Sequence, residues 1–260
     1  MPRRHAFLFV LLAFVFASPS TFAAGPVSET REPAAVAVAE RTLAAMGGAR
    51  AFAALRTLAF DFVVVRDGKE AARYHHVWDR WDGRYRVEGM NREGKQVLTL
   101  LNVQKPGTGR AWLDGRELDG EELTKALERA YGRFINDSYW LLMPAKMLDP
   151  GVNLAAEGEV EKDGQHCDVV RLTFGESVGL TPRDTYWAYV SKASGLMERW
   201  EMVLTGQEAK DRSAFTWTDW QDIGAGIRLS LTKTAEGGST VIRFDHVSGS
   251  TAPNDAAFAK

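Results

Sequence analysis

The pentapeptide Gly175-Glu176-Ser177-Val178-Gly179 has the GxSxG spacing of a nucleophile elbow, the strongest catalytic motif in this 260-residue chain. Such a serine works when a strand runs into a sharp turn and then a helix, because that geometry exposes its hydroxyl beside a backbone oxyanion hole. DVVRLTF before it reads as a strand, but LTPRDTYWAYV after it carries Pro182 and reads as another strand. The only downstream histidine is His246. Ser177 is therefore expected in a loop between two strands, and no catalytic residue is assigned.

Metal chemistry fares no better. His75 and His76 are adjacent, so in a strand they face opposite sides and cannot grip one ion together. His166-Cys167-Asp168 sets two possible ligands side by side with the same defect. Glu121-Glu122 suit the start of a helix, where acids complement the dipole. There is no glycine-rich phosphate or dinucleotide loop, so neither metal nor cofactor is expected.

The other unusual stretch is apolar. NDSYWLLMPAKM, residues 136–147, carries Tyr139, Trp140, Leu141, Leu142, Met143 and Met147, apolar on nearly every side of a short helix. Such a helix must be covered. Two readings stay open: a plug that fills the core under a sheet, or a lid whose methionine and aromatic side chains offer an adaptable wall to a ligand. The candidate ligand-binding residues are Phe134, Tyr139, Trp140, Leu141, Met143 and Met147, with Trp78 from a strand.

The elements that would hold these residues follow from periodicity. AAVAVAERTLAAMGGARAFAALRTL predicts a helix with Pro33 in its first turn and Gly47-Gly48 as its stop. From Thr57 the pattern changes to period two, with turns at Asp67-Gly68, Asp82-Gly83, NREGK and KPGTG, which predicts a meander of hairpins. Asp119 and Glu122 resemble a capping box, and Leu123, Leu127, Ala130 and Phe134 lie at helical spacing, so residues 120–133 are expected to be an amphipathic helix. Asp137 is expected to cap a second short helix that Pro144 ends, and Asp149-Pro150-Gly151 to turn the chain back. Seven further strands, from VNLAAEGEVE to STVIRFDHVS, follow without intervening helices, which argues for antiparallel pairing.

Within the strands Tyr74, His76 and Trp78 point one way and Val77 and Trp81 the other, while Tyr186 opposes Trp187 and Tyr189. Both sheet faces thus carry aromatics, as a barrel-like sheet around a ligand would, or one whose edges are covered by helices or partners.

Arg3 and Arg4 before an apolar run from Ala6 to Ala17, then small residues up to Ala23, have the layout of a signal peptide, too short to span a bilayer. Its removal leaves 30 basic against 34 acidic residues and shifts the net charge from −2 to −4, which speaks against nucleic acid as a partner. Cys167 is the only cysteine, so no internal disulfide forms. A periplasmic or secreted protein with no stable membrane span after cleavage is expected.

The order of these parts, a helix ending in AAMGGARAFAALRTL, a β meander, a helical insert, more strands and a closing FDHVSGSTAPNDAAF, resembles the periplasmic lipoprotein-carrier (LolA/LolB-like) superfamily and its outer-membrane lipoprotein-sorting-like relatives. The resemblance covers most of the mature chain and lies in layout and two loose end motifs. It implies an unclosed half-barrel, a helical lid and an apolar cavity able to shelter acyl chains. The insert departs from the pattern, so no functional residue is carried over.

The expected fold class is therefore mainly β: a curved antiparallel sheet, an unclosed half-barrel, with an N-terminal helix and a helical insert packed on the concave face. Residues 1–23 are assigned to the signal peptide, 24–33 to a linker and 34–260 to one domain with its insert at 119–149. The expected function is that of a non-enzymatic exported carrier or binding protein for a lipid, a lipoprotein acyl chain or another hydrophobic ligand. An envelope scaffold with a solid core and a protein partner is the alternative, and a Ser177-dependent hydrolase the remote one.

Overall fold

The structure, a computed structural model, describes residues 29–162, 164–176 and 178–260. The expected signal peptide and Ser177 lie outside the described residues. Two helices open the described chain, α1 (Pro33–Ala45) and α2 (Gly48–Ala54). Gly47 separates them with φ +119°, a left-handed conformation that ends α1 at little cost because glycine has no Cβ.

Six strands follow: β1 (Thr57–Arg66), β2 (Lys69–Asp79), β3 (Arg84–Met90), β4 (Gln96–Asn102), β5 (Lys105–Leu113) and β6 (Arg116–Glu117). Helix α3 (Gly120–Leu142) and a 3-10 segment (Met143–Lys146) lead to a second run: β7 (Val152–Lys162), β8 (Gln165–Phe174), β9 (Thr185–Ser191), β10 (Met197–Val203), β11 (Ser213–Asp222), β12 (Arg228–Ala235) and β13 (Thr240–Ser250). All thirteen strands form one antiparallel sheet in the order β6-β5-β4-β3-β2-β1-β13-β12-β11-β10-β9-β8-β7. The sheet is thus two sequential meanders joined where the first strand pairs with the last, Phe62 opposite Phe244. It does not close, because β6 and β7 are its two free ends.

This topology fixes the place of the insert. The chain leaves the sheet at one edge, β6, and re-enters at the other, β7, so α3 must cross the sheet face between them. It packs on β4 and β5 of the first meander and reaches β12 of the second. At 23 residues it is about 35 Å long. The mainly β, unclosed half-barrel architecture with a long helix on the sheet is as expected.

Three local readings change. The expected pair of helices in the insert is one continuous α3 that runs through Asp137, whose side chain is buried and caps nothing. The α-helix ends at Leu142, just short of Pro144, which has no N–H to continue the i→i−4 ladder, and the chain tightens into the 3-10 segment while Met143 keeps right-handed helical backbone angles. The capping box does not form: Asp119 stands at the N-cap without a side-chain hydrogen bond, and Glu122 pairs with Arg116 at 2.9 Å instead. KPGTG is the start of β5 and not a turn. Pro106 is tolerated there because the outer partner, β6, covers only Trp112 and Leu113.

The free edge at β7 is partly covered by the segment before α1. Leu154 donates to the Thr30 carbonyl at 2.9 Å and Glu32 donates to the Leu154 carbonyl at 3.0 Å, a short parallel bridge. Edges left bare invite pairing with other chains, and here one is bridged and the other is two residues long.

Candidate functional site

The main core lies between the inner face of the second meander and the C-terminal half of the insert. Alternation brings Tyr186 and Ala188 of β9, Trp200 and Met202 of β10, Phe215 and Trp217 of β11, and Ile242 and Phe244 of β13 to this face. Their outward neighbours Trp187 and Tyr189 lie under the guanidinium groups of Arg212, at 3.6 Å from the ring centre, and Arg199, at 5.1 Å. The aromatics on both faces therefore have two different covers: the insert inside and arginine side chains outside.

Against the inner wall sits the apolar run. Trp140 meets Trp200 edge to face at 4.7 Å and Phe215 at 4.8 Å. Tyr139 lies 5.9 Å from Tyr186 and 6.0 Å from Trp200, and Tyr186 contacts Trp200 at 5.0 Å. These separations are those of favourable T-shaped and tilted ring pairs. Leu141, Met143 and Met147 are wholly buried, whereas Tyr139 and Trp140 remain partly exposed at the rim.

Phe134 and Trp78 belong to a different part of the face. Phe134 packs on Tyr85 at 5.1 Å and on Trp78 at 4.8 Å in a smaller cluster over the first meander. Trp78 touches both clusters and joins them. The seven residues thus fall into two neighbouring groups, six carried by the insert and Trp78 by the sheet beneath it.

Polar atoms inside this apolar space are the unexpected part. The indole N–H groups of Trp78, Trp200, Trp217 and Trp220 are buried and have no acceptor among the described residues. Trp217 and Trp220 are three apart and would face opposite sides of a regular strand, but Asp219 adopts φ +57°, and their rings approach to 6.4 Å. Opposite Trp217 in the β11–β12 pair is Lys233, which is fully buried. Its Nζ donates to the Ser230 carbonyl at 2.5 Å and lies 4.4 Å from the Trp217 ring centre and 4.3 Å from that of Phe244. It makes no ion pair among the described residues. Burial pushes the Lys233 ammonium well below its ordinary pKa, with Asp219 opposing the shift only through space.

A second polar group links helix and sheet. His76 Nδ1 is 2.5 Å from the Tyr85 hydroxyl, and His76 Nε2 faces Asp137 of α3. Burial lowers the His76 pKa, an effect the Asp137 carboxylate partly offsets. Arg133, one turn earlier, lies 3.6 Å from the same carboxylate with its guanidinium over the Tyr74 ring.

On the outer face Asp61 gathers His75 at 2.7 Å, His246 at 3.0 Å and Arg73 at 2.7 Å. The adjacent histidines 75 and 76 thus serve opposite faces. Cys167 is buried, and Asp168 beside it pairs with Arg41 at 2.5 Å. No cluster of three or more His, Cys, Asp or Glu able to hold a metal ion occurs among the described residues. The strand β8 before Gly175 is followed by the strand β9, so the helix that a nucleophile elbow requires is replaced by a strand.

Sequence reasoning overlooked Lys233 and the depth of Asp137. A signal for the lysine existed, since in LSLTK it stands in phase with Leu229, which is buried in the inner core, and Leu231, which is partly buried against it. No helix among the described residues is long and apolar enough to cross a membrane.

No protein-family model matches the chain, and no curated protein sequence does. Among solved structures, similar folds occur in a LolA superfamily protein from Nitrosomonas europaea (10% identity, 87% of this chain and 97% of that one, TM-score 0.49), a putative outer membrane lipoprotein-sorting protein domain from Vibrio parahaemolyticus (11%, 86% and 96%, 0.48) and a DUF1329 family protein from Desulfovibrio piger (14%, 86% and 97%, 0.47).

Proposed function

We propose that this chain is an exported, non-enzymatic binding protein that holds a lipid, an acyl chain or another hydrophobic molecule between the inner sheet face and the α3 insert. The observation that carries the reading is the set of four buried indole N–H groups without acceptors among the described residues, Trp78, Trp200, Trp217 and Trp220, in a largely apolar space. A core that serves only stability pairs its buried donors, because each unmet one costs about 1–3 kcal/mol. Donors facing an apolar, methionine-containing wall are what an oxygen-bearing amphiphile would satisfy on entry.

The insert supplies the moving part in this reading. It enters and leaves the sheet only at the two outermost strands, so it can lift from the inner face without breaking any ladder. The ligand-contacting residues are then Tyr139, Trp140, Leu141, Met143 and Met147 on the roof, with Phe134 and Trp78 extending the surface over the first meander.

Complete burial of Leu141, Met143 and Met147 favours a second reading, an envelope scaffold with a solid core that binds a protein partner. Native mass spectrometry of gently purified protein separates the two. Co-purifying hydrophobic mass, together with a rise in melting temperature on adding fatty acids or phospholipids, is expected for the binding protein. Consistent absence of both, with capture of a stoichiometric protein partner, would establish the scaffold instead.

A further inference from the structure

Lys233 is placed where a cation is hard to justify by stability. It is fully buried on the inner face of β12, the strand of the second meander that α3 approaches. Two aromatic rings, Trp217 and Phe244, lie against its Nζ, and its one hydrogen bond goes to the Ser230 carbonyl. An ammonium has three N–H donors, so two are left without a partner among the described residues. Next to it Trp217, whose own indole N–H has no acceptor, contacts Trp200 at 5.9 Å and Trp220 at 6.4 Å, each with the same unmet donor.

With Lys233 protonated the group is all donors, and an anion beside it would favour the charged form that burial alone disfavours. Asp219 acts on Lys233 only through space, and no carboxylate forms an ion pair with it among the described residues. Buried charges are ordinarily paired, and a site that concentrates donors and withholds acceptors has the chemistry of an anion receptor. Apolar residues surround it: Leu229, Phe215, Ile242 and Phe244 lie in the same core.

We infer that Lys233, with the indole N–H groups of Trp200 and Trp217, anchors the carboxylate headgroup of a fatty-acid-like amphiphile whose chain occupies the apolar space under α3. This rests on the binding-protein reading and adds the charge class of the ligand and the residue that selects it. The headgroup goes inward, to the floor at β11–β12, and the chain runs toward the roof formed by Trp140 and Met143. A neutral ester of equal length gains the apolar contacts and offers a carbonyl acceptor, but it supplies no charge to pair with the lysine and one strong acceptor oxygen fewer for the indoles.

The test uses the full-length mature protein and a fluorescent polyene fatty acid, cis-parinaric acid, against its methyl ester at fixed pH and ionic strength. Wild type is expected to bind the acid about tenfold or more tightly than the ester, in line with a charge-assisted hydrogen bond in a dry site. Lys233→Met should abolish that preference by weakening the acid about tenfold and should leave ester affinity within about twofold. Trp217→Phe, which removes one donor and no charge, should weaken the acid by a smaller factor. Free acetate in large excess should not displace the acid, and displacement would assign the site to a small anion and overturn the amphiphile. Equal binding of acid and ester by wild type, or an unchanged preference in the lysine variant, would overturn the anchor and leave the binding protein standing. Binding of neither probe would remove both.

Discussion

Nε2 of His76, on β2, lies 3.3 Å from Oδ2 of Asp137, on the buried side of α3, and neither atom is aligned into a hydrogen bond. The contact joins the insert to the sheet at a point where both side chains are almost wholly buried. It makes the hold of the helix on the sheet sensitive to protons. Burial lowers the folded-state pKa of His76, while Asp137 raises it and Arg133 and His75 lower it through space; the net direction is down.

A depressed histidine pKa has a definite sign. Below about pH 6.5 the unfolded chain takes up a proton at this position that the folded chain does not, so stability falls as pH falls through that range. Thermal denaturation between pH 7.5 and 5 is expected to show a smaller loss of melting temperature for His76→Gln than for wild type. Identical slopes would mean that other groups carry the acid sensitivity.

The wholly buried roof residues have a simpler consequence. Leu141→Ala or Met143→Ala opens a cavity in the main core and is expected to cost about 2–5 kcal/mol. Trp140→Ala, at the partly exposed rim, removes ring contacts with Trp200 and Phe215 and, in the binding-protein reading, weakens ligand as well as fold. Urea denaturation with and without a fatty acid separates the two effects: the buried pair lowers the midpoint in both conditions, and the rim variant also reduces the ligand-induced rise.

How far the sequence alone led differs from element to element. Period-two runs bounded by Asp-Gly turns identified the strands of both meanders, because turn chemistry and alternation are local signals: Asp67 and Gly68 do adopt φ +50° and +74°. The insert was harder. Asp137 has the residue type of a helix cap, and nothing local distinguishes a cap from a buried carboxylate that faces a histidine 61 positions earlier. Similarly, KPGTG has turn composition, but an edge strand with a short outer neighbour tolerates proline and glycine. The join of β1 to β13 is a pairing between the ends of the chain, and it depends on topology that no short window contains. Of the candidate site, the apolar residues were legible as a run, whereas their division between two clusters was set by the length of a continuous α3.

Gly47 provides a test of the N-terminal junction. Besides its positive φ, a Cβ there would lie 2.2 Å from the carbonyl oxygen of Gly226, a backbone atom with no room to yield. Gly47→Ala is expected to destabilise by about 1–3 kcal/mol from conformation alone, and more from the clash. Gly48→Ala meets no atom within 4 Å and pays only for its own positive φ of +82°. Parallel thermal melts of the two variants should rank Gly47→Ala clearly lower, and equal melting would remove the packing contact with Gly226 from the account.

Lys233 makes an opposite prediction, a gain. Because its folded-state pKa is depressed by burial, the unfolded chain binds a proton there that the folded chain resists, over the range from the folded pKa up to about 10.4. The native state is therefore penalised at neutral pH, and the penalty fades as pH rises toward 10.4. Lys233→Met keeps the length of the stem and removes the amine, so it is expected to raise the melting temperature at pH 7 by a few degrees, equivalent to roughly 1 kcal/mol or more. The difference from wild type should shrink between pH 8 and 10.5. A side chain present for packing would instead lose stability at every pH when its hydrogen bond to Ser230 and its contacts with Trp217 and Phe244 are altered. A gain in stability accompanied by loss of selective acid binding would show that the amine serves the ligand at the expense of the fold.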